Sequence, residues 1–342
     1  MAEGRFTNPV VASLAGAKDF FAKQKLSSRF VADDRADGKT ILITGANSGL
    51  GFALAVSFAQ RGGKVIMAGR SKIPEAGERV KKISGSENVE MRYLDLSKIE
   101  TIHRFTTSLA EEGISLDICI LNAAAALPGS RMTACGQDEM FLVNYLSNVI
   151  LSQLLIKKTV IKLQGSPSLS KLIFISSDSH QGASYIDYKE FGNYFEYGVS
   201  KAISNYSYFK LLLNTYATEF SRRINRSSLK LSINLICPGP VHSNIVKEAP
   251  WLLRMILKGI FWVIFKSPYK AARPVVYMAL SPDYEGTTNE YLHMFNPKQM
   301  DPKVYEEDEG NKLWDRTMEL IKTIDPEWEY QLEKRKLAGH GE

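Results

Sequence analysis

The stretch Lys39-Thr-Ile-Leu-Ile-Thr-Gly-Ala-Asn-Ser-Gly-Leu-Gly51 decides the fold of this chain. Its apolar run from Ile41 to Ile43 predicts a buried strand, and the apolar periodicity that follows Gly51 predicts a helix. The glycines between them leave room for the backbone to approach a pyrophosphate, and the helix N-terminus offers free N–H groups to that anion. This order of elements predicts half of a dinucleotide-binding unit; the alternative is a glycine-rich turn that only caps the helix.

The spacing of the turn is T-G-x-x-x-G-x-G, from Thr44 to Gly51, and it differs from the common G-x-G-x-x-G. It resembles the fingerprint of the short-chain dehydrogenase/reductase family. The resemblance covers roughly residues 39–295 and implies that the turn contacts a nicotinamide cofactor. The residues concerned are Gly45, Asn47, Ser48, Gly49, Leu50 and Gly51.

Strand-like apolar runs alternate with helical periodicity along the rest of the chain. Such alternation predicts a parallel sheet with helices on both faces. The expected fold class is therefore α/β: a single Rossmann-fold domain with a doubly wound parallel sheet of about seven strands, in the order 3-2-1-4-5-6-7. The two longest predicted helices cover about 138–163 and 195–224.

One domain is expected over 39–300, between an N-terminal extension, 1–38, and a C-terminal tail, 301–342. Apolar residues in the extension predict an amphipathic helix that docks on the domain or on a membrane. They are Val10, Val11, Leu14, Ala17, Phe20 and Phe21. No secretory pattern begins the chain, so secretion is not expected.

The composition of this 342-residue chain, whose formal net charge is +6, limits the kinds of partner it is expected to bind. Lysines and arginines are scattered, so no nucleic-acid partner is predicted. The cysteines, Cys119, Cys135 and Cys237, have spacings that suit neither a zinc site nor a disulfide framework. A reducing, cytoplasmic location is expected.

The end of the second predicted strand indicates which nicotinamide cofactor is used. It reads Met67-Ala-Gly-Arg70-Ser71, without the acidic residue that usually binds the ribose of NAD. Arg70 could instead form a charge-assisted pair with a 2′-phosphate. The family resemblance implies the same preference, so NADP(H) is the expected cofactor; otherwise Arg70 is a solvated loop residue.

Three later motifs resemble cofactor-binding motifs of the family. Leu121-Asn-Ala-Ala124 departs from the usual N-N-A-G at its first and last positions, and Ser243 replaces a threonine but keeps the hydroxyl. The resemblance assigns to the cofactor, at these points, Asp95, Leu96, Asn122, Ala123, Ala124, Pro238, Gly239, Val241 and Ser243.

A Y-x-x-x-K motif could supply a proton donor, because an ammonium one helical turn away lowers the pKa of a phenol. The chain contains it four times, at Tyr185/Lys189, Tyr197/Lys201, Tyr206/Lys210 and Tyr330/Lys334. Tyr197 has the Ser-Lys-Ala ending of the family, and Tyr206 lies nine residues later, about half a turn out of phase. The predicted catalytic and cofactor-binding pair is therefore Tyr197 and Lys201, on one face of a helix.

Two further catalytic residues are implied by the resemblance. Ser177, the second serine after the fifth strand, would bind the substrate oxygen. Asn144, inside an apolar helix, would bend that helix and hold a water in the proton relay; its alternative is a structural hydrogen bond. The 20-position spacing from Ser177 to Tyr197, together with His180, resembles the retinol-dehydrogenase-like branch. No metal is expected.

The apolar segment 250–265 is too short to span a bilayer comfortably. It predicts a substrate lid or a membrane-facing helix, with a dimer surface as the alternative; the family often forms homodimers through its two long helices. The predicted function is NADP(H)-dependent hydride transfer to or from a lipophilic carbonyl or alcohol, such as a retinoid, steroid or lipid aldehyde. The alternative is an NADP(H)-binding regulatory or scaffold protein with little turnover.

Overall fold

The structure is a computed structural model that describes residues 24–30, 34–163, 169–239, 267–325 and 328. Several predicted features lie outside these residues. They are the amphipathic helix of the N-terminal extension, the segment 250–265, the pair Tyr330/Lys334, Val241 and Ser243.

Within the described residues, one sheet contains eight strands in the order β3-β2-β1-β4-β5-β6-β7-β8. Every neighbouring pair is parallel except β7 and β8, which are antiparallel. The strands are β1 (Thr40–Thr44), β2 (Lys64–Gly69), β3 (Val89–Tyr93), β4 (Ile118–Leu121), β5 (Ser170–Ile175), β6 (Leu231–Cys237), β7 (Tyr291–His293) and β8 (Asn296–Pro297). The predicted α/β fold and the order of its seven strands are confirmed, with the short β8 as an addition.

Helices cover both faces of this sheet. They are α1 (Gly49–Gln60), α2 (Glu75–Ser84), α3 (Ile99–Glu111), α4 (Glu139–Lys157), α5 (Val199–Asn225), α6 (Pro268–Leu280) and α7 (Glu307–Ile324). The apolar residues of α1, α2 and α6 pack in one cluster, and those of α3, α4, α5 and α7 pack in another.

The residues of β1 show why the sheet is doubly wound. Successive side chains of a strand point to opposite faces. Leu42 packs in the cluster with α4 and α5, while Ile41 and Ile43 pack in the cluster with α1. A strand buried on both faces reads as an unbroken apolar run, which is the pattern of a parallel sheet.

Helix α4 is the one described helix that is long and apolar enough to cross a membrane. Among its 19 residues, a stretch of 18 has a mean hydropathy of 1.3 and is 100% buried inside the protein. It therefore has the environment of a core helix.

Helix α7, which lies in the segment predicted as a C-terminal tail, instead completes the core. Leu313, Trp314, Thr317 and Ile321 of α7 are buried at helical spacing. The Trp314 ring stacks on Tyr216 of α5, with centroids 5.3 Å apart. Helix α7 thus covers part of the α4–α5 surface, because a stripe of this kind must pack against another element.

The described part of the N-terminal extension contacts the domain. The backbone N–H of Leu26 donates to the Phe295 carbonyl at 3.0 Å. The Phe30 ring lies 4.7 Å from the Arg273 guanidinium and 6.0 Å from the Phe295 ring. This short segment therefore docks beside β7 and α6.

Trp314→Ala should lower the free energy of unfolding by about 3–5 kcal/mol, because it removes a fully buried indole and leaves a cavity. Urea unfolding followed by circular dichroism measures the change. Asp315→Ala, at the exposed neighbouring position, is the control and should change stability by less than about 0.5 kcal/mol. Equal effects of the two variants would show that α7 does not stabilise the core.

Candidate active site

The glycine turn between β1 and α1 brings three chain segments into close contact. Gly45 and Gly49 have φ of +65° and +58°, in the left-handed region that favours glycine. A Cβ on Gly51 would collide with the Gly45 carbonyl and come within 2.6 Å of Asn122 Nδ2. This is the tight, exposed-backbone geometry that a pyrophosphate site needs.

The end of β4 is bound directly to that turn. Asn122 Nδ2 donates to the Thr44 carbonyl at 2.8 Å, and Thr44 Oγ1 accepts from the N–H groups of Asn122 and Ala123 at 3.0 Å each. The predicted cofactor residues of both motifs therefore meet at one edge of the sheet, despite the departures at Leu121 and Ala124.

Other predicted cofactor residues lie on the same edge. Asn47 Nδ2 donates to Ser71 Oγ at 2.8 Å, which links the turn to the loop after β2. Asp95 accepts from the N–H and hydroxyl of Ser97 at 3.0 and 2.7 Å, so its carboxylate caps its own turn. Beyond β6, Gly239 has φ of +81°.

Arg70 follows β2 immediately, as the sequence indicates, and is half-exposed. Its Nη1 lies 3.2 Å from Glu139 Oε1, and Arg131 Nη1 lies 2.9 Å from Glu139 Oε2. Two guanidinium groups thus share one buried carboxylate. If Arg70 turned toward a phosphate, the Glu139 carboxylate would still be paired with the Arg131 guanidinium.

Asn144 is fully buried in a π-helical turn of α4, Leu142–Leu146. Its Oδ1 accepts from the Ala125 N–H at 2.9 Å, and its Nδ2 donates to the Ala125 carbonyl at 2.7 Å. The side chain therefore holds the loop after β4, which matches the structural alternative. Its role in a proton relay stays a prediction.

The two serines after β5 have different surroundings. Ser176 is buried and donates to Asn214 Oδ1 at 2.6 Å. Ser177 is partly exposed, and its Oγ accepts from the Ser179 N–H at 3.2 Å. The hydroxyl of Ser177 can therefore still donate to a substrate oxygen.

Tyr197 and Lys201 do not share a helix face, so their predicted placement was wrong, while their catalytic role stays a prediction. Helix α5 begins at Val199, and Tyr197 precedes it in a segment bound to Ser130, whose N–H donates to the Tyr197 carbonyl at 3.0 Å. The Tyr197 hydroxyl donates to Asp138 at 3.2 Å, while Lys201 is exposed. Burial and the Asp138 carboxylate raise the pKa of Tyr197, opposite to the predicted shift.

Tyr206 and Lys210 instead lie one turn apart on α5, against the carboxyl end of the sheet. Lys210 Nζ is buried, donates to the Ile175 carbonyl at 2.9 Å and lies 5.7 Å from the Tyr206 ring centroid. Burial raises the pKa of Tyr206, as it does that of Tyr197, and a charge on Cys237, at the end of β6, would raise the pKa of both Tyr206 and Lys210. Burial lowers the pKa of Lys210 to about 8.

Asn214, one further turn along α5, extends the same stripe and accepts from Ser176. Polar residues at every fourth position share one helix face, and where they are buried that face is turned toward polar partners. This stripe of Tyr206, Lys210 and Asn214 is the signal that could have identified the pair from sequence. The Ser-Lys-Ala ending outweighed it.

Asp178, Cys237 and His293 bring potential metal-binding atoms within 4.8 Å of one another. The Asp178 carboxylate already accepts hydrogen bonds from the Tyr291 hydroxyl and the Lys298 ammonium. Because an ammonium on this carboxylate opposes a second cation, the group is an internal ion-pair cluster rather than a metal site.

Comparison with known proteins gives consistent matches. The model of the family described as short chain dehydrogenase matches residues 39–251. Retinol dehydrogenase 14 of Mus musculus is 30% identical over 292 residues, covering 81% of this chain and 84% of that protein. Polyprenol dehydrogenase of Homo sapiens is 27% identical over 290 residues, covering 84% and 86%.

Among solved structures, an uncharacterised protein of Mycobacterium paratuberculosis superposes with a TM-score of 0.65. The two chains are 23% identical, and the match covers 85% of this chain and 97% of the other. This similarity extends the agreement to the fold.

Gly51→Ala should weaken NADPH binding by about 10–100-fold, because displacing the turn would lose a hydrogen bond to a charged phosphate. Fluorescence titration with NADPH measures the affinity. Gly198→Ala is the matched control, since a Cβ there meets nothing within 4 Å. Unchanged NADPH affinity in a folded Gly51→Ala protein would exclude this turn as the cofactor site.

Proposed function

Because this chain belongs to the short-chain dehydrogenase/reductase family, in its retinol-dehydrogenase-like branch, we propose that it is an NADP(H)-dependent oxidoreductase of carbonyl or alcohol groups. The observation that carries the proposal is that the glycine turn at Gly51 and the buried Lys210 lie at the same edge of the sheet. When bound, the nicotinamide would supply or accept the hydride.

The residues present fit a dinucleotide at this edge. A Cβ on Gly45 or Gly51 would collide with the neighbouring chain, so only glycine keeps this turn compact, and the first N–H groups of α1 follow directly after it. The segments that end at Asn122 and Gly239 would hold the nucleoside and nicotinamide portions. Arg70 supports NADP(H) over NAD(H), because its guanidinium can pair with a 2′-phosphate while Arg131 still neutralises Glu139.

The acid–base pair of the proposal is Tyr206 and Lys210. The phenol of Tyr206 would transfer a proton to or from the substrate oxygen, and the Lys210 ammonium would stabilise the phenolate. Tyr197 and Lys201 are the rival pair, but the Tyr197 hydroxyl is bound to Asp138 and Lys201 faces solvent. Ser177 would orient the substrate oxygen through its accessible hydroxyl, and Asn144 would hold the adjoining loop.

The proposed substrate is a lipophilic carbonyl or alcohol. Two observations support it: the names of the retinol and polyprenol dehydrogenases that the chain resembles, and the apolar sequence of 250–265. As a substrate lid, an apolar segment of this kind would shield a lipophilic chain from water. It would also suit a cytoplasmic enzyme that contacts a membrane peripherally through this segment.

Arg70→Ala should weaken NADPH binding by about 10–100-fold and change NADH binding by less than about threefold, because only NADPH carries the 2′-phosphate. Parallel titrations with the two cofactors measure the ratio. Lys82→Ala, which removes an exposed cation of α2, is the control. An equal loss for both cofactors, or no loss, would contradict the NADP(H) preference.

Tyr206→Phe should lower kcat by about 10²–10⁴-fold in NADPH oxidation with lipophilic aldehydes and ketones, because the proton donor is lost. Tyr197→Phe is the matched control and should stay within about tenfold of wild type, since that phenol binds Asp138. The same comparison applies to the ammonium: Lys210→Met should lower kcat strongly, and its control Lys201→Met should not.

The reverse order, with Tyr197→Phe inactive and Tyr206→Phe active, would return the role to Tyr197. If wild type binds NADPH tightly but no substrate gives turnover that depends on either tyrosine, the oxidoreductase proposal fails for that panel. The regulatory or scaffold alternative would then account for cofactor binding.

A further inference from the structure

A buried histidine holds the main chain of the serine that the proposed function places against the substrate. Immediately after Ser177, residues Asp178–Gly182 form a 3-10 turn. His180, in that turn, is 0% exposed. Its Nδ1 lies 2.7 Å from the Ser177 carbonyl oxygen.

The other ring nitrogen fixes the tautomer of His180. The backbone N–H of Asp301 donates to His180 Nε2 at 3.2 Å. A backbone amide can only donate, so Nε2 must be unprotonated and accept. The neutral ring therefore carries its proton on Nδ1, which donates to the Ser177 carbonyl.

Asp178 ties the same turn to the segment that contains Asp301. Its Oδ1 accepts from the Tyr291 hydroxyl at 2.6 Å, and its Oδ2 accepts from the Lys298 ammonium. The His180 and Tyr291 rings contact edge to face, with centroids 5.7 Å apart. Residues 291–301 thus form a C-terminal strap against the serine turn.

We infer that His180 is a positioning residue: its neutral imidazole joins the Ser177 carbonyl to the C-terminal strap and so fixes the direction of the Ser177 hydroxyl. The inference rests on the proposed role of Ser177. It assigns His180 no contact with the substrate. Its effect on turnover must therefore pass through Ser177.

The ring must stay neutral to keep both bonds, since a proton on Nε2 would oppose the Asp301 N–H. The charged and titratable groups that face it are Asp178, Asp301, Lys303 and Tyr291. Burial is the largest effect and lowers the pKa of His180. Below the ordinary histidine pKa of about 6.5, His180 binds a proton in the unfolded chain but not in the folded chain. The stability that the neutral, buried ring contributes is therefore present above that pH and is lost as the pH falls.

Two substitutions separate the two bonds of His180. In His180→Asn, the side-chain N–H can occupy the place of Nδ1 and keep the donor to Ser177. In His180→Gln, the side-chain oxygen can occupy the place of Nε2 and keep only the acceptor for Asp301. We expect kcat within about threefold of wild type for the first variant and at least about tenfold lower for the second, because small displacements of a positioned group are costly.

Ser177→Ala provides the decisive background. If His180 acts through Ser177, His180→Gln should lower kcat in the wild type but add less than about twofold to the loss in Ser177→Ala. A merely structural role would make the two losses multiply, and that result would overturn the inference. Urea unfolding from pH 7 to pH 5 should also show that both amide variants lose less stability than wild type.

The controls separate this inference from the proposed function. If wild type has no NADPH-dependent turnover, the proposed function fails, and the pH dependence of unfolding still tests the neutral, buried state of His180. If wild type turns over, Ser177→Ala is impaired and His180→Gln is fully active, the positioning role alone is wrong.

Discussion

The close approach of α1 and β4 to the end of β1 is the constraint on which the site depends. There is no room for a Cβ on Gly51 between the Gly45 carbonyl and Asn122. Asn122 in turn binds the Thr44 carbonyl, so the turn and the end of β4 form one unit. This contact fixes the turn where α1 begins, and the first N–H groups of a helix have no partner within the helix and can bind an anion.

Helix α5 connects this cofactor edge to the proposed acid–base groups. Lys210 binds the carbonyl of Ile175, the last residue of β5, and Asn214 binds the next residue, Ser176. Buried polar groups require partners, and partners at the end of a strand fix the rotation of the helix. Tyr206 is one turn before Lys210 on the same face, so its position follows from the bonds of Lys210 and Asn214.

The C-terminal part of the chain supports the site through contacts with α4, α5 and the turn after Ser177. Helix α7 stacks the Trp314 ring on Tyr216 of α5. The hydroxyl of Tyr145, on α4, lies 2.6 Å from Thr317 Oγ1 of α7. Ahead of α7, the strap of residues 291–301 binds the turn after Ser177 through Asp178 and His180. The proposed substrate oxygen site is therefore held by segments far apart in sequence, which restrict its motion more than the local turn could.

Sequence alone determined the strands, the helices and the glycine turn, because period-2 and period-3.6 apolar patterns and a glycine requirement are local properties. It also placed Arg70 after β2 and Ser177 after β5. The strand order followed from the fold that the family resemblance implies. Only the tertiary structure decided which Tyr–Lys pair lies against the carboxyl end of the sheet. The first turn of α5 begins at Val199 because the Tyr197 backbone pairs with Ser130, a contact between segments distant in sequence that no local pattern contains. The same holds for α7, whose buried stripe acquires its meaning only when α4 and α5 are beside it.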